Sequence, residues 1–188
     1  MSRTLWIIAE DENDVAILRQ ILLKMGLTIH IRAYPRGQTP GIGLLARSLT
    51  KWLHDIHHDA RWKEGDCIAV LHDLDSTIPD HRPLVKQIQD ICEREGMVRL
   101  SADDEIESWL LADGGISTFL GIKTQTWDGK TEVKQTLEAL LRKKKMVYRS
   151  RDRERLIEKL DGTAVQRSPS LKQPIQNLQA ADCLPKGV

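Results

Sequence analysis

The sequence has no apolar run long enough to cross a bilayer, and acidic residues appear within ten positions of its start. A membrane span needs about 20 mostly apolar residues. The apolar run in residues 1–10 is too short for the hydrophobic region of a signal peptide, and acidic residues follow it directly. We therefore expect a cytoplasmic protein with no membrane partner. With 188 residues, 40% of them hydrophobic, the chain is long enough to bury a core as one domain, or as one domain with an extension.

Cysteine is scarce. Cys67, Cys92 and Cys183 are odd in number and far apart along the chain. This pattern predicts neither a disulfide framework nor a zinc-binding cluster, so we expect three buried thiols.

Nucleotide-binding motifs are also missing. Residues 34–43 form a glycine- and proline-rich loop, but the glycines do not have the spacing of a dinucleotide or phosphate-binding loop. The chain has no ATPase motif, so any motor that acts with it must be a separate protein.

Charge is balanced overall but unevenly distributed. The net charge of +1 argues against a protein that coats nucleic acid over its whole surface. Four of the five residues 10–14 are acidic, and residues 103–113 contain five acids and no base. Residues 142–159 contain nine basic residues and three acidic ones, and we call this segment the basic stripe. Such a chain has residues to hold metal ions at one place and a phosphate backbone at another.

Hydrophobic periodicity predicts alternating strands and helices. Short apolar or alternating runs predict strands, whereas apolar residues at three- and four-residue steps predict helices. The predicted strands are 4–9, 27–33, 67–75 and 97–100; the predicted helices are 13–25, 42–57, 83–95, 105–112, 131–142, 151–160 and a short one after 167. This order predicts an α/β fold, with a mostly parallel sheet in residues 1–113 and a helical extension in residues 114–188 packed on it.

Residues 67–75, Cys-Ile-Ala-Val-Leu-His-Asp-Leu-Asp, organise the functional prediction. An apolar run of strand length delivers two carboxylates, Asp73 and Asp75, to its carboxyl end. Two like charges held close together are stabilised by a divalent cation that prefers oxygen ligands, and Mg²⁺ is the natural candidate. A strand followed by a polar turn would show the same residues.

Further acids follow other predicted strands. Glu10 comes after the first strand, Asp14 lies in the next helix, and Glu105 and Glu107 follow the fourth strand. Because ligands gather at the carboxyl ends of parallel strands, we expect these acids to meet Asp73 at one edge of the sheet.

This arrangement resembles the TOPRIM domain of topoisomerases, primases and OLD-type nucleases. The motif Glu-x-Glu-x-Trp-Leu-Leu-Ala-Asp at 105–113 and the late Ser-Pro-Ser at 168–170 are most similar to small stand-alone bacterial TOPRIM-like proteins, which often neighbour an ATPase. The resemblance covers most of the chain and implies a TOPRIM or Rossmann-like sheet flanked by helices. It also implies a Mg²⁺- or Mn²⁺-dependent nuclease, or nuclease subunit, that cuts DNA or RNA in defence against phage or mobile DNA.

The resemblance assigns roles to particular residues. It implies that carboxylates bind a pair of metal ions or act as a metal-activated base, with Glu105 as a neighbour, and that a late basic residue contacts phosphate. The implied metal ligands are Glu10, Asp14, Asp73, Asp75, Glu105 and Glu107; the implied catalytic residues are Glu10, Asp73, Asp75 and Glu107; the implied phosphate contacts are Lys172 and Arg167. Two carboxylate-held Mg²⁺ ions supply both an activated water and a clamp on the leaving oxygen.

The chain departs from topoisomerases and primases. Tyr34 and Tyr148 fall at loop or edge positions, so neither is expected to be a strand-passage nucleophile, and no primase zinc module is present.

Two alternatives remain open. The acidic opening also resembles a response-regulator receiver, with Asp73 or Asp75 as phosphoacceptor, although Lys123 is followed by threonine rather than by the proline of that family. The second alternative is a non-catalytic subunit that binds nucleic acid or a partner ATPase. A homodimer is compatible with every one of these possibilities.

Overall fold

A four-stranded parallel sheet forms the centre of the protein. The computed structural model describes residues 3–37, 41–74, 78–103 and 105–185. The strands are β1 (Thr4–Ala9), β2 (His30–Tyr34), β3 (Cys67–Asp73) and β4 (Val98–Ala102), in the spatial order β2-β1-β3-β4. The predicted α/β fold with a parallel sheet is confirmed.

Helices cover both faces of this sheet. The helices are α1 (Glu12–Lys24), α2 (Gly41–His57), α3 (Arg82–Glu95), α4 (Glu107–Ala112), α5 (Gly114–Leu120), α6 (Val133–Lys143), α7 (Ser150–Ile157) and α8 (Pro169–Ala180). None of the helices in the described ranges has the length and apolar character needed to span a membrane.

The central strand β1 is apolar throughout because both of its faces are buried. Its alternating side chains divide between two clusters: Leu5 and Ile7 pack with α1, α4 and the later helices, and Trp6 and Ile8 pack with α2 and α3. The period-two pattern of a strand therefore separates two hydrophobic cores across one sheet.

Asp11 fixes the start of α1 at the carboxyl end of β1. Its Oδ1 accepts a hydrogen bond from the backbone N–H of Asn13 at 2.9 Å, as expected of an N-cap. The carboxylate of Glu12 accepts from the backbone N–H of Gly37 at 3.0 Å, which ties the same turn to the loop after β2. The first turn of α1 is thus held at one edge of the sheet.

Several elements differ from the sequence prediction. The second strand is His30–Tyr34 rather than 27–33, because residues 27–29 lead out of α1 instead of pairing with β1. The fourth strand extends to Ala102. Helix α5 was not predicted, because its Gly-Gly opening resembles a loop; Asp113 caps it by accepting from the backbone N–H groups of Gly115 and Ile116.

The carboxyl-terminal helices share a core with the sheet. Leu171, Ile175 and Leu178 of α8 belong to the same buried cluster as Leu5 of β1 and Leu100 of β4. Helix α8 packs beside β4, the edge strand, and covers it. One continuous core therefore runs through both portions of the chain on either side of residue 113.

The prediction of three buried thiols is wrong for two of them. Cys67 at the start of β3 and Cys183 after α8 form a disulfide; their Cα atoms are 5.6 Å apart, and the two residues are 116 positions apart in the sequence. Only Cys92 is a free, buried thiol. The pairing depends on the return of the chain end to the amino end of β3, and cysteine spacing carries no information about that long-range contact.

Candidate functional site

The acidic residues that follow β1 and β3 meet at the switch point of the sheet, where successive strands change from one side of β1 to the other. From β1 the chain moves to β2 on one side, and it then returns to place β3 on the other side of β1. Crevices at such switch points are the usual ligand sites of open α/β sheets. Glu10 follows β1, Asp73 ends β3, and Glu10 Oε1 accepts a hydrogen bond from the backbone N–H of Asp73 at 3.2 Å. The Glu10 carboxylate therefore reaches across the switch point to Asp73.

Asp73 connects this point to the start of α4. Its Oδ1 accepts a hydrogen bond from the backbone N–H of Ile106 at 3.0 Å. The next residue, Leu74, donates its backbone N–H to the carbonyl of Ala102 at 3.1 Å, so the ends of β3 and β4 are joined. Residues 105–107 are thereby held beside the ends of β1 and β3.

Glu107, in the first turn of α4, is a buried carboxyl group with only 5% of its surface exposed. Burial raises the pKa of Glu107, and the charge of Glu105 adds to this rise. The charge of Lys134 and a side-chain hydrogen bond with Tyr148 oppose it. Glu107 is therefore an acid that a nearby cation would stabilise in its charged form.

Asp14 lies in the first turn of α1, and the charges of the same acidic residues act on its carboxyl group. Burial is the main cause that raises its pKa well above the usual value, and the charges of Glu107, Asp11 and Glu10 add to it. Arg153 acts in the opposite direction. We call Glu10, Asp14, Asp73 and Glu107 the acidic edge.

Tyr148 and Arg153 reach the acidic edge from the carboxyl-terminal part of the chain, and sequence reasoning missed both. Tyr148 is 6% exposed, and its pKa is raised well above the usual value by burial and by the charges of Glu107 and Asp14. The Arg153 guanidinium lies 4.6 Å from the centre of the Tyr148 ring. Tyr148 does lie between helices, but it points into the core rather than to solvent. The one feature of the sequence that could have indicated Tyr148 is that it is an aromatic residue within the basic stripe.

The structure does not place two of the predicted metal ligands, Glu105 and Asp75, in the acidic edge. Glu105 binds the start of α6, since its Oε2 accepts from the backbone N–H of Lys134 at 2.9 Å. Asp75 lies outside the described residues. Within the described ranges, no three histidine, cysteine, aspartate or glutamate side chains are arranged so that they could together hold a metal ion.

The chemistry of the acidic edge nevertheless fits Mg²⁺ or Mn²⁺. All four side chains offer carboxylate oxygens, and burial together with like charge raises the pKa of both Asp14 and Glu107. Mg²⁺ keeps several waters and is commonly bound by only one or two carboxylates together with substrate phosphates, so it needs no preformed cage of three ligands. A hard cation would relieve the repulsion among these acids.

The two motifs that carry the TOPRIM resemblance contact each other. Trp109 of the first motif donates its indole Nε1–H to Ser170 Oγ of the Ser-Pro-Ser element at 2.9 Å. Asp128 fixes that element, because its carboxylate accepts from Ser168 Oγ at 2.8 Å and from the Ser170 backbone N–H at 2.8 Å. The Ser-Pro-Ser element therefore supports α4 and the position of Glu107.

The predicted phosphate contacts are not brought to the acidic edge. Lys172 lines a cavity with Lys24 at the carboxyl end of α1, and ten residues of that helix, about 15 Å, separate Lys24 from Asp14. Arg167 donates to the carbonyl and the hydroxyl of Thr163. The cations near the acidic edge are instead Lys134 and Arg153.

Comparison with protein-family models, curated proteins and solved structures finds no match to this chain. The resemblance to TOPRIM domains thus depends on the sequence motifs alone.

Proposed function

We propose that this protein is a Mg²⁺- or Mn²⁺-dependent phosphodiesterase that cuts nucleic acid, as a TOPRIM-type nuclease or nuclease subunit. One observation carries the proposal: Glu10 and Asp73, 63 positions apart, meet across the switch point of a parallel sheet. Ligand sites of open α/β folds lie at this position, and carboxylates are the groups that two-metal hydrolysis requires there.

The residues of the acidic edge have separable roles in this proposal. Glu10 and Asp73 would be the primary ligands of a pair of ions, and Asp14 and Asp75 are proposed as further ligands. Glu107 would take up the proton that the attacking water loses, a role that its raised pKa favours. Bound ions would supply the activation of that water and the stabilisation of charge on the leaving oxygen.

Tyr148 holds Glu107 in place, and Arg153 balances part of the negative charge of Asp14. Tyr148 is a hydrogen-bond partner of Glu107, and Arg153 lies against the Tyr148 ring. Tyr148 is buried and Arg153 is only partly exposed. We assign both as positioning residues of the acidic edge.

The exposed part of the basic stripe is the proposed path of the substrate backbone. Lys143, Lys145 and Arg151 are exposed and make no ion pair or hydrogen bond through their side chains within the described ranges. The triple substitution Lys143→Glu, Lys145→Glu and Arg151→Glu should weaken binding to all sequences alike and reduce its salt dependence. Unchanged affinity at low salt would remove the basic stripe from the substrate path.

The setting of this activity is proposed from the TOPRIM resemblance. We place the protein in the cytoplasm, in defence against phage or mobile DNA, acting with a separately encoded ATPase. The Cys67–Cys183 disulfide is unusual for that compartment, where thiols are kept reduced. The oxidation state of this pair in cells therefore tests the proposed location.

A nuclease assay tests the proposed activity. Purified protein is incubated with plasmid, linear duplex, single-stranded DNA and RNA in Mg²⁺ or Mn²⁺, beside the variants Glu10→Gln and Asp73→Asn. Both replacements keep an oxygen to accept from the backbone N–H groups of Asp73 and Ile106. We expect cleavage to fall by about 100-fold or more in each, the scale on which loss of one transition-state contact acts.

Glu12→Gln is the matched control for this assay. Glu12 belongs to the same acidic run, but its carboxylate binds the backbone N–H of Gly37 instead of reaching Asp73. Its cleavage rate should equal that of the wild type. Equal activity of Glu10→Gln and Glu12→Gln would contradict the proposal.

A non-catalytic subunit is the second candidate. It is favoured by the absence, in the part of the chain that the structure describes, of three side chains arranged to hold a metal ion. Binding of nucleic acid or of the partner ATPase without cleavage, in either metal and with the partner present, would establish this second function.

A further inference from the structure

A cavity of about 520 Å³ opens beside the acidic edge, between the carboxyl end of β4 and helix α8. Its volume lies within the range of small-molecule sites, about 300–1,000 Å³. The cavity is lined by Leu74, which directly follows Asp73, and by Asp103, which directly follows β4. A nucleic-acid strand with one phosphate at Asp73 would therefore have its neighbouring nucleotide at the mouth of this cavity.

The cavity wall formed by α8 offers a donor and an acceptor side by side. Gln173 and Asn177 are one helical turn apart, and Gln173 Nε2 donates to Asn177 Oδ1 at 3.0 Å. This bond leaves the Gln173 carbonyl oxygen as an acceptor and the Asn177 amide N–H groups as donors. Adjacent donors and acceptors of this kind match the hydrogen-bonding edge of an unpaired base.

A cation and an apolar surface complete the lining. Arg99 lines the cavity and makes no ion pair or hydrogen bond with any residue that the structure describes, and its charge also opposes the rise in the pKa of Lys86 and Cys92 on α3. Arg99 is therefore the cation of the lining that a phosphate can pair with. Leu74 and Pro174 supply apolar surface against which a base can pack. Asp128 also lines the cavity, but its two oxygens are occupied by Ser168 and Ser170.

We propose that this cavity binds one unpaired nucleotide of the substrate strand, next to the phosphate held at the acidic edge. The inference rests on the proposed function, because that function identifies the ligand as part of a nucleic-acid strand. A base paired within a duplex cannot enter the cavity without leaving its partner. The protein should therefore prefer single-stranded, frayed or branched substrates to intact duplex.

Binding without cleavage tests this inference. The full chain is titrated in Ca²⁺ against fluorescein-labelled single strands of DNA or RNA, about 12 nucleotides long, and against hairpins of the same sequences. The wild type should bind the single strand of at least one nucleic acid more tightly than its hairpin. Arg99→Ala and the double variant Gln173→Ala/Asn177→Ala should each lose about tenfold of that affinity, with hairpin binding unchanged.

Two control variants match these changes in charge and chemistry. Gln176→Ala alters an exposed amide of the same helix that lines a different cavity, and Arg47→Ala removes an exposed arginine on α2. Both should bind single strands as the wild type does, and thermal unfolding should show that all variants are folded.

The outcomes separate the inference from the proposed function. Equal affinity for single strand and hairpin, no binding to either, or variants that behave like the controls would overturn the inference. If the wild type cleaves and the variants bind normally, the inference fails and the proposed function stands. If the wild type never cleaves but single-strand binding requires Arg99 and Asn177, the proposed function fails and the nucleotide site stands.

Discussion

Trp109 Nε1 donates a hydrogen bond to Ser170 Oγ at 2.9 Å across 61 positions of sequence. Trp109 is fully buried, so the hydroxyl is the only group that satisfies its indole N–H among the contacts of the described residues. The bond joins α4, which carries Glu107, to the start of α8, which forms a wall of the cavity beside β4. The two motifs of the sequence thus form one structural unit.

The first prediction concerns this bond. Ser170→Ala should lower the free energy of unfolding by about 1–3 kcal/mol, because it leaves a buried N–H donor without its partner. Ser48→Ala on α2 is the control: its hydroxyl contacts no described residue, and alanine favours a helix slightly more than serine does. Urea unfolding measures both. A Ser170→Ala variant as stable as Ser48→Ala would show that the bond contributes nothing.

The second prediction concerns the pH dependence of stability. The pKa of Glu107 is raised in the folded state, so its charged form costs stability once the pH exceeds the ordinary carboxyl range, and the cost is absent below that range. Glu107→Gln should therefore stabilise the protein in EDTA at neutral pH, by about 1.4 kcal/mol for each unit of pKa rise. The gain should vanish as the solution is acidified toward about pH 4.

Glu154→Gln is the control for that experiment, because Glu154 is an exposed residue of α7. Its replacement should change stability little at either pH. A constant difference between Glu107→Gln and the wild type from acid to neutral pH would show that Glu107 is not destabilised by its burial.

The third prediction concerns the Cys67–Cys183 disulfide. Protein purified without reductant and then denatured should expose one free thiol, that of Cys92. Because the bond spans 116 positions, reduction should lower the free energy of unfolding by about 2–5 kcal/mol. Cys183→Ser should be insensitive to reductant. Three titratable thiols in the unreduced protein would contradict the pairing.

The fourth prediction concerns the close approach of two chain segments at the start of α5. A Cβ atom on Gly115 would lie 2.1 Å from the backbone oxygen of Lys159, a contact that neither backbone can relieve easily. Gly115→Ala should cost about 1–3 kcal/mol of stability, as overpacking does. Gly43→Ala, in open space on α2, should instead be neutral or stabilising by up to about 1 kcal/mol.

The fold could be predicted largely because its signals are local. The apolar run at Thr4–Ala9, the Asp11 cap and the helical spacing of α2 each depend on a few neighbouring residues. Because parallel strands end at the same edge of a sheet, the acidic residues that follow them were expected to lie close together there. In the structure the Glu10 carboxylate accepts a hydrogen bond from the backbone N–H of Asp73. The prediction used only connectivity and the geometry of parallel strands.

The rest of the site depends on contacts that no local pattern encodes. Tyr148 reaches Glu107, and Arg153 lies against Tyr148, only because the chain after α6 returns to α4. Cys183 meets Cys67 only because the chain end returns to β3. Lys172 was selected for its charge near the end of the chain, but its position on α8 turns it toward Lys24. Residue type and sequence order could not supply these orientations.

The proposed function requires that Glu10 and Asp73 share a divalent cation at the acidic edge. Titration calorimetry of Mn²⁺ into the wild type, Glu10→Gln and the control Glu12→Gln tests this requirement without any assumption about substrate. We expect saturable binding by the wild type and by Glu12→Gln, and binding at least about tenfold weaker in Glu10→Gln. Equal affinity of all three proteins, or no binding by the wild type at millimolar Mn²⁺, would contradict it.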